Sequence, residues 1–162
     1  MYSMKVTFYE LTTNLPVSAL IRWGLEEPSS HFAFSVHGLV VSQDFSGLSV
    51  SHENDYFENK QIIHEKTRYI GSKDLDKILA RIFSDLDGCK YDFDGFGYFA
   101  LRAALKKFCN VPFPKDNQWD KEDKALCTGI AGYFYEVVPE IFSMDVKDFD
   151  MISPHQLLKL IL

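Results

Sequence analysis

His31-Phe32-Ala33-Phe34-Ser35-Val36-His37-Gly38-Leu39-Val40-Val41-Ser42-Gln43-Asp44 is the stretch that decides how this chain folds. Phe32, Phe34 and Val36 alternate with His31, Ala33 and Ser35, so one face of a strand carries bulky apolar side chains and the other carries small or polar ones. His37-Gly38 predicts a two-residue hairpin turn, because glycine accepts positive φ freely and histidine tolerates it better than most residues. The returning strand then runs from Leu39 to Asp44. A turn of that length sets Asp44 directly across from His31, with Ser42 diagonal to it on the same face, while Gln43 goes with Phe32.

Working outward, Lys5 to Leu11 predicts a strand, followed by a turn through Thr12, Asn14 and Pro16 and a short helix, Ala19 to Gly24, capped by Ser18. Downstream, strands are expected around Leu48 to Ser51 and Gln61 to Tyr69. From Lys73 onward the period changes. Leu75, Ile78, Leu79, Ile82, Phe83 and Leu86 recur at three and four residues, which predicts an amphipathic helix. Phe93 to Phe108 is apolar on nearly all sides and reads as a buried helix, and a proline-containing loop spans Asn110 to Asp120. A third helix is expected to run through Cys127 to about Val138, stopped by Pro139, and Ser153-Pro154 opens a last one. Leu157, Leu158 and Ile161 fall on one side of that last helix and point to the core. Strands first and helices after, with no linker, repeat or low-complexity run between them, predict a single α+β domain over residues 1–162.

The 162 residues are 46% hydrophobic and 25% charged, enough to bury roughly 68–70% of the unfolded surface without staples. Seventeen basic against 23 acidic side chains, a net charge of -6, argue against nucleic acid or an anionic membrane as the main partner. No window approaches the roughly 20 apolar residues of a membrane span, and the first residues lack the order of a secretory signal. Cys89, Cys109 and Cys127 are odd in number and outside any zinc spacing, so thiols in a reducing compartment are expected rather than disulfides or a cysteine-bound metal. The segments 85–88 and 92–95 read like calcium loops without the closing glutamate, and zinc-protease, phosphate-loop, dinucleotide and serine-hydrolase motifs are absent. No cofactor or metal is expected.

Two residues invite a chemical reading. Cys127, in Leu126-Cys127-Thr128-Gly129-Ile130, stands near a helix start among small neighbours, where a helix N-terminus and an imidazolium lower a thiol's pKa and suit it as a nucleophile. The same position equally fits a core cysteine packed with Leu126 and Ile130. His31 opens a strand whose opposite face supplies the hydrophobics, so it is placed either as a base or as a solvent-facing residue. Asp44 and Ser42 are its candidate orienting partners; the carboxylate would stabilise a protonated ring and the hydroxyl would fix a tautomer. His37 reads as the turn residue, and His52, His64 and His155 as structural or solvated.

Taken in order, Leu20-Ile21-Arg22-Trp23, Ser30-His31-Phe32-Ala33-Phe34, Tyr91-Asp92-Phe93-Asp94-Gly95, Cys127-Thr128-Gly129 and Ile152-Ser153-Pro154 resemble the circularly permuted NlpC-type, papain-like cysteine hydrolases, including the YiiX-like group. The resemblance spans nearly the whole chain. It implies an antiparallel sheet packed on helices, with the histidine strand preceding the cysteine helix, Cys127 as nucleophile and His31 as base. It also implies cleavage of an amide or peptide bond, for instance in peptidoglycan-type cross-links, through an acyl-enzyme intermediate. The third polar residue falls nearest Ser42, and Cys-Thr-Gly stands where the family has a Cys-Ser-Glu-like start. Two other classes share the pattern: a non-catalytic papain-like binding or virion-associated module, and a lipid acyltransferase or thioesterase. Domains of this kind occur in phages and bacteria, so a cytoplasmic or virion-associated location is expected.

Overall fold

The computed structural model describes residues 2–91, 124–146, 149 and 152–162. The predicted helix at Phe93 to Phe108, the loop at Asn110 to Asp120, the acidic 92–95 segment and Cys109 lie outside the described residues.

The protein is α+β. Its first half forms an antiparallel five-stranded sheet, in spatial order β4-β3-β2-β1-β5, from β1 (Ser3–Thr13), β2 (His31–Val36), β3 (Leu39–Asp44), β4 (Gly47–His52) and β5 (Lys60–Gly71). β2 and β3 begin and end where alternation and turn chemistry predict. His37 and Gly38 both take positive φ, 52° and 77°, and the pairing Val36↔Leu39, Ser35↔Val40, Phe34↔Val41 is the register of a two-residue turn. β1 is an interior strand, pairing with β2 and, over its whole length, with β5.

The helices are α1 (Pro16–Leu25), α2 (Glu53–Phe57), α3 (Ser72–Leu86), α4 (Ile130–Val137) and α5 (Pro154–Leu160). Two boundaries differ from expectation at α1. Pro16, pre-set in φ, takes the first helical position, so Ser18 lies inside the helix rather than capping it. Its Oγ instead accepts from the Thr13 N–H at 3.1 Å and bonds Ser30 and Thr12. The helix also runs past Gly24 to Leu25, where Glu26 in the left-handed region (φ 57°) ends it. α2 is too short for a helical period to be visible and was not expected. Nor was the parallel pair β6 (Lys90–Tyr91) and β7 (Lys124–Ala125), which pairs residues far apart in sequence. At the last helix the expected cap is present, Ser153 Oγ accepting from the Gln156 N–H at 3.2 Å.

One face of the sheet carries the main core. Val6, Phe8, Phe32 and Phe34 pack against Leu75, Ile78 and Ile82 of α3, Ile130 and Phe134 of α4, and Leu157 and Leu158 of α5. The Phe134 ring meets Phe8 and Phe34 edge-on at centroid distances of 5.0 and 4.8 Å, an arrangement worth about 0.5–1.5 kcal/mol per pair beyond the area buried. The face predicted to be less apolar is also covered, by a smaller cluster of Tyr9, Leu11, Ala33, Val40 and Tyr56 with Phe57 beside it. Among the described residues no helix is long and apolar enough to cross a membrane.

Candidate active site

His31 begins β2 on the face of the smaller cluster, and the hairpin brings Ser42 of β3 to it as the register predicts. His31 Nε2 lies 2.7 Å from Ser42 Oγ and 3.0 Å from the hydroxyl of Tyr56, supplied by α2. Asp44 faces the same ring through its charge, but its oxygens are held elsewhere, by the N–H and hydroxyl of Ser46 and by the Ser49 hydroxyl. Of the two candidate orienting partners, Ser42 touches the imidazole and Asp44 acts on it at longer range.

The electrostatics follow from this placement. Burial pushes the His31 imidazole down to about 4; Asp44 opposes that shift and Lys60 adds to it. The ring is therefore neutral at physiological pH. Burial likewise raises Tyr56 well above the ordinary phenol range, the Ser42 hydrogen bond opposes, and the charge of Asp44 adds to it. Lys60 lies 3.8 Å above the Tyr56 ring, donates to the Tyr56 carbonyl at 3.3 Å, and has its own pKa lowered by burial. A protonated phenol and a neutral imidazole are the resting species.

Cys127 occupies the turn Cys127-Thr128-Gly129 that leads into α4, so the helix expected to run through it begins three residues later, at Ile130. The turn is closed by the Gly129 N–H donating to the Leu126 carbonyl at 3.1 Å. Cys127 is 5% exposed and packs within the main core, as Leu126 and Ile130 around it suggest. It is a thiol, as is Cys89. An ionised Cys127 would act on Tyr56 through space, and the Tyr56 hydroxyl bonds His31.

A pocket of about 270 Å³ opens beside His31, lined by Leu15, Ser18 and Ile21 of the α1 region, by Ser30, and by Asp44 and Lys60 at opposite sides of the charge balance. Cys127 is not among its lining residues. Tyr56 and Lys60 were missed by sequence reasoning: α2 shows no period, and neither residue sits in a motif. No local signal marks them, since the segment joining the edge strands β4 and β5 could cross either face of the sheet and here crosses the one where His31 lies.

A second histidine cluster lies on the main-core side. Glu10 of β1, 0% exposed, accepts from His64 Nδ1 of β5 at 3.0 Å and His155 Nδ1 of α5 at 2.9 Å. Sequence reading placed both histidines as structural or solvated and passed over Glu10. No protein-family model matches the chain, and no curated protein matches it either.

Proposed function

We propose that the chain is a cysteine hydrolase of the permuted papain-like, NlpC-type architecture, with Cys127 as nucleophile and His31 as base. The single observation that supports it most is the setting of His31: a neutral imidazole lining a pocket, held through Nε2 by Ser42 and Tyr56. With Nε2–H donating to a hydroxyl, the Nδ1 lone pair is left to take a proton, which is the form a general base requires. Nδ1 takes the Cys127 thiol proton as sulfur attacks an amide or ester carbonyl. The imidazolium then returns the proton to the leaving amine, and a water activated by His31 hydrolyses the acyl-enzyme. Backbone N–H groups at the turn into α4 serve the developing oxyanion.

Asp44 and Lys60 offer one charge of each sign, matching a substrate that carries both an amine and a carboxylate, as peptidoglycan stem peptides do. The test is hydrolysis of peptidoglycan fragments and short acyl-peptides by wild-type and Cys127→Ala chains, with mass spectrometry of the trapped acyl-thiol. Turnover that survives Cys127→Ala sinks the reading.

A second reading, a binding module that keeps the architecture without turnover, is favoured by one specific observation: Cys127 is 5% exposed and absent from the pocket lining. Peptide binding by the pocket with no acyl-thiol in either chain selects it.

A further inference from the structure

We propose that Glu10, His64 and His155 form a site for one divalent transition-metal ion of the zinc type. Three elements converge there. β1 supplies a carboxylate whose side chain is 1% exposed, β5 supplies His64 and α5 supplies His155, and both rings turn the same nitrogen, Nδ1, to that carboxylate. The three ligand atoms all lie within 4.8 Å of one another. Ligands about 2.0–2.2 Å from a tetrahedral ion stand a little closer than that span allows, so a small turn of one ring closes the site. His64 can make it, because its side chain is 60% exposed.

Charge points the same way. A buried carboxylate is costly unless its charge is compensated as well as its lone pairs. The two imidazoles satisfy the oxygens, and among the described residues no lysine or arginine pairs with this carboxylate. Lys66, on the same face of β5 as His64, does not compensate it, since its ammonium donates to the Ile161 carbonyl. A divalent ion would compensate the charge using the atoms already gathered, the Nδ1 proton of each ring giving way to the metal and Nε2 carrying the remaining one. Two nitrogens and a carboxylate select zinc and its neighbours over calcium or magnesium, which require oxygen shells. The exposed side of His64 leaves a fourth position for water, the pattern of an open rather than a sealed zinc site. The cluster lies on the opposite face of the sheet from His31 and is independent of the hydrolase reading.

The experiment titrates Zn²⁺ and Co²⁺ into the chelator-treated full chain. Calorimetry reads stoichiometry and affinity, cobalt absorption reads the donor atoms, and thermal unfolding reads the coupling to stability. The expected result is one ion per chain, a four-coordinate cobalt spectrum without a sulfur charge-transfer band, and a melting temperature that rises with Zn²⁺ but not with Ca²⁺ or Mg²⁺. Loss of a ligand's outer partner alone weakens binding about 10–100-fold, so His64→Ala, at an exposed position that spares the fold, should weaken it by at least about tenfold. Glu10→Gln should do the same. No binding by either ion, a sulfur band that assigns the ion to a cysteine, or affinity unchanged in His64→Ala overturns the proposal.

Discussion

The two faces of the sheet treat histidine in opposite ways. On the smaller-cluster face His31 meets two hydroxyls, with the nearest carboxylate, Asp44, tied to Ser46 and Ser49. On the main-core face His64 and His155 meet a buried carboxylate directly. Hydroxyls orient an imidazole without stabilising its charge, which leaves a base; a carboxylate shared by two imidazoles gathers donor atoms for a cation. The residue type is the same on both faces, and its neighbours decide the chemistry.

The largest effect belongs to the sulfur. On the hydrolase reading, Cys127→Ser should lower hydrolysis by about three orders of magnitude or more, since a serine hydroxyl is a poor nucleophile where the base has no carboxylate in contact, while the melting temperature stays within a few degrees. Full-rate turnover in this variant would remove the functional contrast between the faces.

Next is acid sensitivity. His31 has its folded pKa lowered from the ordinary 6.5 to about 4 by burial. The unfolded chain therefore binds this proton more readily, and the native state loses stability as pH falls from about 6.5 towards 4. The loss amounts to at most about 3 kcal/mol by the time pH is below both values. Urea unfolding at pH 7 and pH 4.5 measures it. In His31→Gln that part of the pH dependence should disappear; a slope unchanged by the substitution would mean the acid sensitivity comes from elsewhere.

On the other face, Glu10→Gln at pH 7, without added metal, should cost about 1–3 kcal/mol, because a buried charged acceptor of two hydrogen bonds is replaced by an amide that can accept only on one side. The same denaturation experiment checks it. No loss would make the carboxylate dispensable to the fold and leave the histidines there as surface residues.

How much of this was legible depends on how local the cause is. The β2–β3 hairpin could be read because His37-Gly38 fixes the turn and the turn fixes the register, which carried Ser42 to His31 correctly. α3 could be read because Leu75, Ile78, Ile82 and Leu86 repeat in sequence, and α5 because Ser153 caps it. Glu10, His64 and His155 could not: three residues far apart in the chain meet only after β1 pairs with β5 and α5 docks, and none carries a local pattern. Tyr56 was hidden for a related reason, as a five-residue helix has no period to see. Cys127 was assigned to the right neighbourhood and the wrong element, because Thr128-Gly129 closes a turn before the apolar run of α4 begins.

The smallest effect sharpens the comparison most, because it asks whether the hydroxyls do more than fill space. Ser42→Ala removes the 2.7 Å partner of Nε2 and leaves Tyr56 at 3.0 Å, so the ring keeps its place but is free to carry its proton on either nitrogen. Where Nδ1 holds the proton it cannot receive one from sulfur, and the active fraction falls. A drop of about tenfold in kcat with KM unchanged, roughly 1.4 kcal/mol, is expected. Ser42→Thr, which restores the hydroxyl, should recover most of it. Equal losses in Ser42→Ala and Ser42→Thr would indicate packing rather than tautomer control, and the contrast between the faces would then rest on the carboxylate side alone.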